Sequence, residues 1–253
     1  MNNNANRAVR SAAILAGGNS RRMGFDKALL TARDGRRNLD LLAESLAARF
    51  ADVFIVRRRG LYEQSPLPSG VRVVYDDMEE AGPLTGVVSA MAHGAGQYVF
   101  VCACDAWPVP ATYLHLIISR TDTYAADAAK AANAADATNA ANVVYGADAA
   151  NAICAANAAE TADAANAANS AYIATSTDAA CAAVDAVLPR VGGYIQPFWA
   201  VYGVHLLPQA RAAASSGRQS PFRFIENRNI RIIEEDEIAA AGISLSMFSN
   251  RND

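Results

Sequence analysis

Residues 12–30 read AAILAGGNSRRMGFDKALL. A short apolar run breaks into Gly17 and Gly18, and Arg21, Arg22, Gly24, Asp26 and Lys27 follow before the chain turns apolar again. A strand that opens into glycines and then a helix is a phosphate-binding device. Glycine lets backbone N–H groups approach an anion closely, and the helix N-terminus adds a favourable dipole. The side chains of this loop are unusually cationic, through Arg21, Arg22 and Lys27. A triphosphate needs such cations as charge accumulates on its leaving pyrophosphate. Two standard nucleotide loops do not fit. No Gly-Lys-Ser/Thr occurs, so this is not a P-loop, and glycines 17, 18 and 24 miss the G-x-G-x-x-G spacing.

The elements that must position this loop follow from hydrophobic pattern. AAILA (12–16) is a first buried strand, VFIV (53–56) a second, VRVVY (71–75) a third and YVFVC (98–102) a fourth. NLDLLAESLAARF (38–50) is an amphipathic helix with Leu39, Leu42, Leu46 and Phe50 on one face and Asn38 as N-cap. GPLTGVVSAMAHG (82–94) is a second helix, with Pro83 at its first position, and PATYLHLIISR (110–120) a third. Strands alternating with helices mean βαβ units and a mostly parallel sheet. Ligands bind beyond the carboxyl ends of such strands. The loops of interest are therefore 17–27, 57–60, 76–82 and 103–109.

From about residue 121 to 183 the chain is dominated by Ala, Asn and Asp in near-repeats such as ADAANAAN. Large apolar residues are scarce, and Asn and Asp oppose the helix that Ala favours. The expectation is one domain over 8–253 carrying a low-complexity insertion at 121–183, disordered or transiently helical. Order resumes at 183–208 as two apolar runs around PRVGGY, then a helix in SPFRFIE (220–226) and a strand in IRIIE (230–234). The terminal MFSNRND is read as stopping without a closing helix.

LAGGNSRRMGFDKALL resembles the L-A-G-G-x-S-x-R-M-G-x-D-K-x-L-L signature of the molybdenum cofactor guanylyltransferases, the MobA-like nucleotidyltransferases. Further segments agree in order and spacing. DDMEEAGPLTGVVSAM resembles the family's Asp followed by G-P-L-A-G, and FVCACDAWPVP its apolar strand ending in Cys-Asp. YIQPFWAVY and the terminal MFSNRND are weaker echoes. The resemblance covers residues 12–120 and 184–253. It implies a Rossmann-like three-layer α/β nucleotidyltransferase fold with a mostly parallel sheet. It also implies transfer of GMP from GTP to a molybdopterin-type cofactor, with release of pyrophosphate and with Mg2+. On this resemblance Leu15, Ala16, Gly17 and Gly18 hold the guanine nucleotide through backbone groups. Arg22 and Lys27 neutralise the triphosphate, Asp76 contacts the nucleotide near the guanine or ribose, and Asp105 holds Mg2+. Asn250 and Asn252 line the site from the far end. A molybdoenzyme or its maturation factor is the implied recipient of the product.

Some residues have two readings. Asp105 could cap the helix near Pro110 instead of binding metal, and Asp77 competes with Asp76 for the nucleotide. Arg57, Arg58 and Arg59 are either a solvated loop or a patch for an anionic substrate. Trp107 stands where the family usually has proline. Cytidylyltransferase cousins carry L-A-A-G and lack the Asp-Lys pair, so Gly17-Gly18, Asp26-Lys27 and Gly82-Pro83-Leu84 favour the guanylyl reading. A nucleotide-binding homologue that has lost turnover is the reading from another class, against which Lys27 and Asp105 argue.

Composition narrows the remainder. With 52% hydrophobic residues, 253 positions suffice for a real core. A net charge of −3 argues against a broad nucleic-acid-binding surface. No apolar run approaches the roughly 18–20 residues of a membrane span. The longest apolar run near the N-terminus is too short for a signal peptide's core, so a cytoplasmic location is expected. Cys102, Cys104, Cys154 and Cys181 form no C-x-x-C pair, and His93, His115 and His205 stand far apart. That spacing argues against zinc and for Cys102 and Cys104 as reduced, packed thiols.

Overall fold

A computed structural model describes residues 8–16, 30–32, 34–58, 68, 70–76, 78, 82–106, 108–143 and 183–248, with side chains of the long helix described to residue 131. The chain divides into two compact units, Met1–Thr123 with Val184–Asp253, and Tyr124–Ala183.

In the first unit the described strands form one eight-stranded sheet. Strands β1 (Val9–Leu15), β2 (Asp52–Arg58), β3 (Arg72–Asp76) and β4 (Tyr98–Ala103) lie in the order β3-β2-β1-β4, all parallel. The sheet continues through β7 (Trp199–Gly203), antiparallel to β4, and β5 (Ala186–Val191), antiparallel to β7. β6 (Tyr194–Ile195) closes a hairpin with β5, and β8 (Ile230–Ile233) pairs with β5 in parallel. The hairpin turns on Gly192 and Gly193, whose φ angles of 61° and 78° suit glycine. This confirms the mostly parallel α/β sheet expected from the alternation of apolar runs.

Helices cover the sheet because their stripes are apolar at helical spacing. Helix α1 (Asn38–Ala47) buries Leu39, Leu42 and Leu46. Helix α2 (Pro83–His93) buries Leu84, Val87, Val88 and Met91, which pack with Phe54 and Val56 of β2 and Val74 of β3. Phe50 stacks on Phe100 of β4 with ring centroids 5.7 Å apart. Helix α3 (Ala111–Val143) buries Tyr113, Leu114, Ile117 and Ile118, and Tyr113 donates its hydroxyl to the Trp199 carbonyl. Tyr113, Trp199 and Phe248 meet edge to face. Helices α4 (Leu207–Ser215), α5 (Pro221–Ile225) and α6 (Glu235–Ala240) and the 3-10 helices Val204–Leu206 and Leu245–Phe248 also belong to this unit. In the other unit, Lys130 pairs with Asp127 at 3.3 Å, an exposed contact one helical turn apart.

Several element ends differ from the sequence reading. Helix α3 runs past Arg120 to Val143, because the alanine-rich stretch after it sustains helix. Strand β2 continues through Arg57 and Arg58, because β3 supplies ladder partners as far as Tyr75 and Asp76. Asn38 is the first helical residue and Arg37 the N-cap, so Asn38 does not cap α1. Helix α6 was not expected from EEDEIAA, in which Ile238 alone is buried.

At the amino ends of the strands, Asp52 accepts hydrogen bonds from Arg72 Nε and Nη2, both at 2.8 Å, and from Ser11 Oγ at 3.0 Å. Burial alone raises a carboxyl's pKa. Here the bonds from Arg72 and Ser11 outweigh it and hold Asp52 below its ordinary value of 3.8. A depressed carboxyl contributes stability that is present above the unfolded value and lost as pH falls through the folded one. Replacing Arg72 with Met therefore moves the acid-unfolding midpoint to higher pH, measurable by circular dichroism. An unchanged midpoint would show that the pair carries no acid sensitivity.

Candidate active site

The four parallel strands end together, and their carboxyl ends bring the candidate residues to one edge. The chain runs from β1 outward to β2 and β3, then crosses back through α2 to β4 on the other side of β1, so the strand order reverses between β1 and β4. Such a switch point opens a crevice beyond the strand ends. Both flanks of the β1 end are tied. Ala16 N donates to Val56 O at 2.9 Å, and Cys104 N donates to Leu15 O at 3.1 Å. Leu15 and Ala16 thus sit between the β2 and β4 ends, where the resemblance puts the nucleotide's backbone contacts.

Asp105 follows β4 in the turn Cys104–Ala106, which is closed by the Ala106 N–H on the Ala103 carbonyl at 3.1 Å. The residue is buried, at 7% exposure. Helix α3 starts only at Ala111, so Asp105 lies well outside its cap position. Asn38 reaches this turn from α1. Its Nδ2 donates to Cys104 O at 3.1 Å and to Ala106 O at 2.6 Å.

Asp76 ends β3. Its Oδ2 accepts the Thr85 hydroxyl at 2.6 Å, and its Oδ1 accepts Ser89 Oγ and the Met78 N–H, both at 3.2 Å. The carboxylate is thereby fixed against the first two turns of α2 while its residue stays half-buried. The Thr85 hydroxyl shares its one hydrogen between Asp76 and the Gly82 carbonyl, 2.7 Å away. Replacing Thr85 with Val removes that donor from a buried position and is expected to cost about 1–3 kcal/mol. Urea unfolding would measure this, and Thr85→Ser is expected to stay near wild type. Equal stability of Thr85→Val and wild type would show that the contact carries nothing.

The second glycine of GPLTG has a packing reason. A Cβ on Gly86 would come within 3.3 Å of Leu15 Cδ1, so the missing side chain leaves room for α2 against the β1 end without a shift of Leu15. Leu84 N also donates to Gln219 O at 3.0 Å, which anchors the start of α2 to the segment before α5.

Arg57 is 4% exposed, pairs in register with Tyr75, and belongs to the strand, not to a solvated loop. Arg58 lies across from Asp76. Arg57 thus sits near the carboxyl end of β2. Cys102 and Cys104 are buried and in no disulfide. Burial pushes the Cys102 thiol far up, helped by Cys104 and Asp105, so Cys102 is no nucleophile at neutral pH.

Of the residues expected from sequence, Leu15, Ala16, Asp76 and Asp105 are brought to this edge. Gly17, Gly18, Arg22, Lys27, Asn250 and Asn252 lie outside the described residues, as do Asp77, Arg59 and Trp107. Sequence reasoning missed Asn38, Thr85 and Ser89 as anchors of the two carboxylates. The available signal was a run of polar residues on otherwise apolar helix faces. Among the described residues no three His, Cys, Asp or Glu side chains group together as a metal cage. No helix among them is long and apolar enough to cross a membrane.

A mostly parallel α/β sheet with Asp76 and Asp105 at the carboxyl ends of its strands has the layout in which α/β proteins bind ligands. Residues 12–232 match the MobA-like NTP transferase domain, and the chain belongs to that family. Over 100 residues it is 37% identical to a probable molybdenum cofactor guanylyltransferase of Methanothermobacter thermautotrophicus, covering 38% of this chain and 50% of that protein. Over 99 residues it is 40% identical to the molybdenum cofactor guanylyltransferase of Syntrophotalea carbinolica, covering 38% and 43%. The matched stretches therefore span half or less of these relatives' length. The molybdopterin-guanine dinucleotide biosynthesis protein A of Archaeoglobus fulgidus superposes with a TM-score of 0.59 at 16% identity, over 96% of this chain and 92% of that one. At that identity the likeness shows the fold.

Proposed function

We propose that this protein transfers GMP from GTP to a molybdopterin-type cofactor and releases pyrophosphate. The observation that supports the reading is that Leu15, Ala16 and Asp105 lie at the carboxyl ends of the neighbouring strands β1 and β4, where the glycine-cation sequence leaves β1, with Asp76 at the same end of β3. Family membership and the names of the relatives support it. The reading takes residues 8–253 as one nucleotidyltransferase domain with 121–183 inserted.

Asp105 fits a magnesium ion. It is a hard oxygen donor in a buried turn at the phosphate-facing edge, and Mg2+ is commonly held by one or two carboxylates plus substrate phosphates. Bound there, Mg2+ supplies charge neutralisation for the triphosphate. The chain's own residues do the rest. The backbone of Leu15, Ala16, Gly17 and Gly18 orients the nucleotide. Arg22 and Lys27 offset charge on the departing pyrophosphate. Asp76, held by Thr85 and Ser89, keeps a fixed acceptor toward the guanine or ribose. On the family resemblance, Asn250 and Asn252 line the site from the far end. A terminal phosphate of the pterin attacks the α-phosphorus in line, its new P–O bond forming as the bond to pyrophosphate breaks. Positioning and charge neutralisation dominate such a step. The product passes to a molybdoenzyme or its maturation factor, and the reaction is placed in the cytoplasm, with neither nucleic acid nor membrane taking part.

Pyrophosphate release with molybdopterin-type cofactor and Mg2+, comparing GTP with CTP, tests the reading. Release with GTP alone is expected. Release with CTP alone would move the protein to the cytidylyltransferases, and binding of GTP without release would make it a non-catalytic homologue.

A further inference from the structure

We propose that Asn38 is a positioning residue that sets the turn presenting Asp105 to the nucleotide. What Asp105 does rests on the nucleotidyl-transfer reading. What Asn38 does rests on geometry alone. The other buried positions of α1 are Leu39, Leu42, Ala43 and Leu46, which serve the core. Asn38 is fully buried too, yet polar, and a buried amide is costly unless its hydrogens are used.

Its amide spends both hydrogens across the molecule. One goes to the carbonyl before Asp105, at Cys104, and the other to the carbonyl after it, at Ala106. Both partners are acceptors only, so the NH2 group must face the turn. The amide thus holds the carbonyls of the residues on either side of Asp105, while the peptide between Asp105 and Ala106 is held by its N–H on the Ala103 carbonyl. The main chain of Asn38 works in the other direction. Its N–H donates to the Leu30 carbonyl at 2.7 Å, where the chain emerges from the glycine-cation segment. One residue therefore ties the end of the segment carrying Lys27 to the turn carrying Asp105. Partners of this kind orient a metal-binding or phosphate-facing group without touching substrate.

Asn38→Asp keeps the size and replaces the donor with an oxygen facing two carbonyl oxygens. Asn38→Ser keeps one hydroxyl donor on a shorter arm and serves as the second variant should the first fail to fold. Hydrogen–deuterium exchange of the peptide over 103–109 is read in the free protein, with β2 as internal reference. Mn2+ binding in the presence of GTP is read by electron paramagnetic resonance. Either variant is expected to speed exchange at 103–109 while leaving β2 unchanged. Asn38→Asp is expected to weaken Mn2+ binding by about 10–100-fold, and Asn38→Ser by less. Wild-type exchange, or a loosened turn with wild-type Mn2+ affinity, would overturn the positioning role. A wild-type chain that binds Mn2+ with GTP but never transfers GMP would overturn the nucleotidyl-transfer reading and leave the role of Asn38 intact. A wild-type chain that binds no Mn2+ with GTP would overturn the reading of Asp105 as the metal-facing group, and exchange at 103–109 would then decide the role of Asn38 by itself.

Discussion

Replacing Asp105 with Ala is expected to lower the rate of pyrophosphate release on the order of 10²–10³-fold, the loss typical when one fixed electrostatic partner of a transition state is removed. The effect should fall on turnover more than on folding. Asp105 sits in a turn whose backbone is held by bonds other than its own side chain, namely Cys104 N to Leu15 O, Ala106 N to Ala103 O, and the Asn38 amide. Removing the carboxylate leaves those bonds in place. Steady-state kinetics with GTP, beside a urea melt, separate the two effects. A variant with near-normal turnover would show that the charge at the β4 end does not serve the reaction. Lost turnover together with a lost fold would show that Asp105 is structural.

The largest expected stability effect lies in the strand that delivers Asp105. Phe100 is fully buried in β4, flanked by β1 and β7 and stacked on Phe50. Truncating it to Ala removes the ring and leaves a cavity that close-packed neighbours fill only in part. Phe→Ala changes at such sites cost about 3–5 kcal/mol. For a protein of this size that lowers the thermal midpoint by roughly 6–20 °C. Thermal unfolding followed by circular dichroism checks it. A change below about 1 kcal/mol would mean that β4 is not the central, doubly covered strand described here.

Phe100 also shows why the fold was legible. YVFVC is apolar at every position, which a strand requires only when both faces are covered, and β4 is such a strand. The stripe Leu39, Leu42, Leu46 gave α1, and Pro83 marked the start of α2, for equally local reasons. What stayed hidden depended on distant partners. Asn38 reads as a cap because Asn is a good cap, and nothing nearby signals acceptors 66 and 68 positions away. Arg57 and Arg58 read as a loop because three arginines suggest solvent. They are strand because Tyr75 and Asp76 offer a ladder to pair with. The site was legible in the same uneven way. Asp76 and Asp105 each follow an apolar run, which places them at strand ends, and the parallel sheet puts those ends on one edge. Their anchors, Thr85, Ser89 and Asn38, are ordinary helix residues until the tertiary contacts are seen.

The central claim is transfer of a guanylyl group to a pterin phosphate at the edge formed by Leu15, Ala16 and Asp105. The most direct measurement uses GTP labelled at the α-phosphate, molybdopterin-type cofactor, Mg2+ and the purified chain, with products resolved by chromatography and mass. The account predicts that label appears in a pterin–guanine dinucleotide in step with pyrophosphate, and that Asp105→Ala abolishes both. Label that stays in GTP while the protein binds both substrates would contradict it.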